Sequence, residues 1–131
     1  MSAHLEIRGL EKVLARLDSA KLDSMMHTAM RGVVDELQAE MMVYPPPPPN
    51  SSYTRTGKLK QSWSKKVTSS GRAWLGVVGS RIHYAPYVQD ENRQADIHRG
   101  RWQTVQSVAK DKKDWAVNFI HRAITRWART G

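Results

Sequence analysis

The sequence predicts an α+β fold: a small antiparallel sheet packed by a long helix from the N-terminal half and by a C-terminal helix, with a long proline-rich loop between them. Three observations predict it. Apolar residues from Lys21 to Met42 recur at spacings of three and four, residues 64–80 read as two short strands, and the chain closes on a second helical stripe from Trp115 to Trp127. A chain of 131 residues suits one hydrophobic core, so residues 1–131 are read as a single domain.

Taken in order, Ile7 to Leu17 carries Leu10, Val13, Leu14 and Leu17 at helical spacing and predicts a short first helix, with Asp18 and Ser19 as turn and cap residues. The next helix runs from Lys21 to about Met42, with Leu22, Met26, Ala29, Met30, Val33, Leu37 and Met41 on one face and Asp35, Glu36 and Glu40 elsewhere. Its methionine pairs, Met25 with Met26 and Met41 with Met42, put neighbours on adjacent faces, so one of each pair is expected to be partly exposed. The helix must stop at Pro45 to Pro49, because five residues without a backbone N–H and with fixed φ continue only as polyproline II. With Asn50 to Thr54 this makes an exposed loop, long for a compact domain.

Lys58 to Ser62 then reads as a helical turn with Leu59 and Trp63 on one face, and Thr56 is placed to cap it. Ser64 to Ser70 and Arg72 to Ser80 form a hairpin around the Ser-Ser-Gly turn at residues 69–71. Tyr84 to Val88 is a short apolar segment, and Gln89 to Arg101 is a polar loop. Trp115, Ala116, Phe119, Ile120, Ala123, Ile124 and Trp127 make the apolar stripe of the last helix, opposed by Lys113, Asn118, Arg122, Arg126 and Arg129.

Composition narrows the function. The longest helix is interrupted by Arg31, Asp35, Glu36 and Glu40, so no transmembrane span and no membrane partner is expected. The first residues carry charges where a secretory leader needs an apolar run, which predicts synthesis and residence in cytoplasm. There is no cysteine, which excludes disulfides, thiolate metal sites and cysteine nucleophiles. The formal charge of +9 is uneven: residues 1–50 net −2, residues 51–92 net +5 and residues 93–131 net +6. A basic back half suits proximity to DNA or docking on an acidic protein, since both use the same long-range field.

No catalytic constellation stands out. His4, His27, His83, His98 and His121 fall in no zinc-ligand spacing, and the glycines at 71, 76 and 79 make neither a nucleophile elbow nor a phosphate-binding fingerprint. Asp90, Glu91, Asp96 and His98 form a polar cluster that reads as a solvated loop more readily than as a metal site, because no helix or strand fixes ligand geometry there. The chain is therefore read as a non-enzyme with no cofactor and no metal. Arginine, lysine and tryptophan are interspersed from Arg99 to Arg129, as in nucleic-acid-binding segments, but Trp115 and Trp127 sit on the apolar stripe and point to core packing.

Three strings carry a family resemblance. Y-P-P-P-P-P-N-S-S-Y-T-R-T-G-K-L-K-Q-S-W at Tyr44 to Trp63 resembles the central signature of the tail-component, tail-completion and neck proteins of tailed bacteriophages. V-G-S-R-I-H-Y-A-P-Y-V-Q at Val78 to Gln89 is similar to the family's second signature, and H-R-G-R-W-Q-T-V at His98 to Val105 to its approach to the last helix. The resemblance spans about residues 5–129 and departs at Gln89, Asp90 and Glu91, where the family often has Glu or Gly. It implies a virion structural protein at the head–tail junction or tail, assembled in the host cytoplasm. It also implies ring-forming copies that contact phage connector, adaptor or tail-tube proteins, without catalysis.

Within that frame the candidate partner-binding residues are Tyr44, Pro47, Tyr53, Arg55, Tyr84 and Tyr87. Tyr44 and Tyr53 bracket the proline run, Arg55 brings a charged donor to the end of the loop, and Tyr84 and Tyr87 serve equally as interface aromatics or as a core seal at the sheet end. Two other classes stay open: a basic nucleic-acid-binding module, and a small hydrolase or toxin. The first would show steeply salt-dependent duplex binding and the second a pocket of perturbed titrating groups.

Overall fold

The structure, a computed structural model, describes residues 2–7, 19–46, 57–70 and 73–130. In chain order these form strand β1 (Ser2–Ile7), helix α1 (Ser19–Met41), the short helix α2 (Lys58–Gln61), strands β2 (Trp63–Ser70) and β3 (Ala73–Ser80), the short helix α3 (Ala85–Gln89), a 3-10 turn (Asp96–His98) and helix α4 (Val105–Thr130). The fold is the expected α+β, with a three-stranded antiparallel sheet in the order β1-β3-β2.

The start of the chain corrects the sequence reading. Ile7 ends a strand instead of beginning a helix, and it pairs with Trp74 of β3. The reason is a period of two: Ala3 and Leu5 face the core while Ser2, His4 and Glu6 are exposed, a pattern a pleated strand satisfies and a helix does not. Residues 8–17, the remainder of the expected first helix, lie outside the described residues.

The hairpin register explains how the sheet takes α1 on one face. Trp63 opposes Ser80, Val67 opposes Gly76 and Ser69 opposes Trp74, so these side chains share the inner face, while Lys66 and Val77 oppose each other on the outer face. In β3 the alternation is complete: Trp74, Gly76, Val78 and Ser80 are buried, and Leu75 and Val77 are half-exposed. Against this face α1 presents Met26, Met30, Val33, Val34 and Met41, all almost wholly buried. Met25 and Met42 are only partly buried, so each methionine pair divides as the helical wheel predicts.

Helix α4 starts ten residues before the apolar stripe that announced it. Thr104 and Ser107 cap it reciprocally: the Ser107 N–H donates to Thr104 Oγ1 at 3.1 Å and the Thr104 N–H to Ser107 Oγ at 2.9 Å. Val105 and Val108 are buried directly after the cap, and the polar run Lys110–Asp114 then crosses solvent before Ala116 and Ile120 return to the core. Trp115, Phe119 and Trp127 are half-buried against that core. Lys112 Nζ reaches Glu36 Oε1 of α1 at 2.9 Å, and this hydrogen bond raises the ammonium pKa above its ordinary value. The cap position of α2 is Gly57 in the left-handed region (φ 81°), where glycine carries no Cβ penalty, and Thr56 lies outside the described residues.

Candidate interaction surface at the end of the first long helix

Helix α1 ends without a glycine cap, because the chain runs from Met42 straight into Pro45. The N–H groups of Met42 and Val43 still reach the carbonyls of Gln38, Ala39 and Glu40. Side-chain amides of Gln89, at the end of α3, and of the segment after it add further donors. Gln103 Nε2 donates to the carbonyls of Glu40 and of Val43, the latter at 3.1 Å, and Gln89 Nε2 lies 3.4 Å from the carbonyls of Met41 and Gln103. Gln94, also buried, donates to the carbonyl of Val88 at 2.7 Å and to that of Trp102 at 3.1 Å. Three glutamines thus tie residues 89–103 to themselves and to the end of α1.

Tyr44 sits at the centre of this arrangement. Its hydroxyl accepts a hydrogen bond from Trp63 Nε1 at 3.3 Å, and its ring lies 4.6 Å from that of Trp102 at an angle of 52°. Arg101 Nη2 donates to the Pro46 carbonyl at 3.1 Å. The base of the proline run is thereby fixed on its own domain before the run leaves the described residues.

His98 packs edge-on to Trp102, with ring centroids 5.9 Å apart, and its Nδ1 is buried without a protein partner. Burial, and secondarily the Arg101 guanidinium, hold the His98 pKa below its ordinary value. Gln89 Oε1 is a second buried acceptor without a protein partner. The acidic loop residues serve structure: Asp90 Oδ1 accepts from Gln106 Nε2 at 2.9 Å and from the Asn92 N–H at 3.0 Å, while Asp96 pairs with Arg99 at 3.0 Å. Among the described residues no group of three His, Asp or Glu side chains could hold a metal ion.

The outer surface at this end is apolar in places. Val43 is 59% exposed, Tyr87 53% and Ile97 71%. The Tyr87 carbonyl accepts the Ala95 N–H at 2.8 Å and the Val43 carbonyl accepts from Gln103, so the three lie on segments tied together in this region. Single exposed apolar residues are ordinary, but three on such a rim make a candidate contact surface.

Of the six candidate partner residues, Tyr44 is engaged internally, Tyr84 is half-buried against His83 at 5.4 Å, and Tyr87 is exposed. Pro47, Tyr53 and Arg55 lie outside the described residues. The structure adds Gln89, Gln94, Arg101, Trp102 and Gln103, which sequence reasoning passed over. Nothing in residue type or spacing separates a carbonyl-capping glutamine from a solvated one, so only the fold reveals them. No protein-family model, curated protein or solved structure matches this chain.

Proposed function

We propose that this chain is a virion structural protein that acts in head–tail joining or tail completion of a tailed bacteriophage, by assembling into rings and onto connector or tail-tube proteins, without catalysis. One observation carries the reading: the three family-like strings, distant in sequence, meet at one place in the fold. Tyr44 and Trp63, the two ends of the first, are joined by a hydrogen bond; Trp102 of the third packs on Tyr44; and Gln89, the end of the second, reaches the carbonyl of Gln103 in the third. Segments that share no element but build one scaffold at the base of the proline run suit a module that engages neighbours there.

The test is negative-stain imaging and light scattering of the purified protein, alone and mixed with purified phage connectors and tails. Rings, or stable complexes with either structure, support the reading. A protein that stays monomeric at high concentration and joins neither overturns it.

The runner-up, a basic nucleic-acid-binding module, draws on the exposed Lys110, Lys113 and Arg122 of α4. It requires duplex DNA binding that falls steeply as salt is raised, because phosphate contacts release counterions.

A further inference from the structure

Between Glu40 and Asp90 the sequence holds seven lysines and arginines and no carboxylate side chain. Five of the seven lie along β2 or at its α2 end. Lys58 and Lys60 lie on α2, Lys65 and Lys66 on β2, and Arg81 directly after β3. Helix α2 and Arg81 are neighbours because Ser62 Oγ, which closes α2, is 2.6 Å from Ser80 Oγ at the end of β3. Asp35 of α1 reaches across to Lys65, whereas Lys60, Lys66 and Arg81 are exposed to solvent.

This basic cluster borders an open strand edge. β2 pairs with β3 along one side, and no described strand pairs with the other. Its eight residues span about 26 Å, every second one turns its main-chain donor and acceptor outward, and the Trp63 carbonyl accepts from Gln38 Nε2 at 2.9 Å. Lys65 shares the inner face with Val78 and Lys66 the outer face with Val77, so both faces of the edge carry a cation. Lysines on an edge strand oppose pairing with another basic strand, and two copies of β2 meeting antiparallel in full overlap would bring Lys66 of one diagonally beside Lys65 of the other. The same lysines favour an acidic strand.

We propose that the outer edge of β2 captures an extended acidic segment of a partner protein as a fourth strand. The ladder would come from the backbone, and register from carboxylates meeting Lys66 on the outer face and Lys60 with Arg81 at the α2 end. A DNA duplex would use the cations but not the strand edge. This surface is separate from the Tyr44–Trp102 cluster, and the inference stands whether or not the chain forms rings.

The experiment measures binding of the full chain to a labelled peptide that alternates Glu with Val and Thr and is long enough to span β2. Three further probes accompany it: the same peptide with alternate backbone amides N-methylated, a version with Lys in place of Glu, and a DNA duplex. The acidic peptide is expected to bind and to slow amide hydrogen exchange in Trp63–Ser70, while the lysine peptide is not. N-methylation, which removes ladder donors and leaves charge intact, is expected to weaken binding by about tenfold or more, as is the double variant Lys60→Glu, Lys66→Glu. Should that variant fold poorly, the N-methylated peptide still decides with the unaltered protein. Equal affinity for the methylated peptide, absence of binding, or tighter binding of the duplex through the same lysines overturns the proposal.

Discussion

A Cβ atom built on Gly76 of β3 would stand 2.6 Å from Val34 Cγ1 of α1, well inside van der Waals contact. The glycine is what lets the long helix lie this close to the central strand. Gly76→Ala is therefore expected to destabilise the fold by about 1–3 kcal/mol through overpacking. Thermal melting checks it, and pairing the change with Val34→Ala should restore part of the loss. A melting temperature unchanged by Gly76→Ala would mean that the helix and strand are not in this contact.

Gly32 gives the comparison. A Cβ there would meet the Phe119 ring at 2.7 Å, but Phe119 is only half-buried and its ring end can swing outward. A mid-helix alanine also gains about 1 kcal/mol of helix propensity over glycine. Gly32→Ala should thus cost clearly less than Gly76→Ala, and chemical denaturation of the two variants side by side shows whether the order holds.

Trp74 is buried in the sheet face, and its indole N–H donates to Asp23 Oδ1 at 3.0 Å. Asp23→Ala would strand this donor and is expected to cost about 1–3 kcal/mol. Asp23→Asn keeps an acceptor and should cost less. Equal losses in the two variants would remove the hydrogen bond as the cause.

These contacts also show where the sequence was legible. The spacing of Met26, Met30, Val33, Leu37 and Met41 declares α1 outright, and the two runs on either side of the Ser-Ser-Gly turn declare β2 and β3, because each element buries a face with its own period. β1 is not legible in the sequence because six residues alternate only briefly and Ile7 fits equally the helical spacing that follows it. The first ten residues of α4 are hidden because Lys110–Asp114 crosses solvent and interrupts the stripe; the Thr104-x-x-Ser107 cap is the signal that marks them. The glutamine ties around α1 were beyond reach, since their acceptors are backbone carbonyls whose positions exist only in the fold.

His98 makes stability depend on pH. Its folded-state pKa is depressed by burial and by Arg101, so at mildly acidic pH the unfolded chain binds a proton that the folded chain resists. Its contribution is intact above the unfolded value of about 6.5 and is lost as pH falls through and below that value. His98→Gln should flatten the dependence between about pH 7 and pH 5, leaving whatever the other four histidines contribute. Melting curves of both proteins across that range test it, and parallel curves would show that His98 does not titrate differently on folding.

The sequence groups Tyr44 and Tyr87 as candidate partner contacts, and the structure separates them. Tyr44 is held by Trp63 and Trp102, so Tyr44→Ala breaks a hydrogen bond and a ring contact within the domain, and melting temperature should fall clearly. Tyr44→Phe, which keeps the ring but strands the indole N–H of buried Trp63, should cost about 1–3 kcal/mol. Tyr87 is more than half exposed, so Tyr87→Ala should leave stability within about 0.5 kcal/mol. If the rim of Val43, Tyr87 and Ile97 meets a neighbouring subunit, that same variant should form fewer rings or connector complexes, and Ile97→Ala should act in the same direction. The two readouts must be taken separately, because a Tyr44 variant that assembles poorly says nothing about contact once its fold is weakened. Normal assembly of the Tyr87→Ala, Ile97→Ala double variant at unchanged stability would take the contact surface away from this rim.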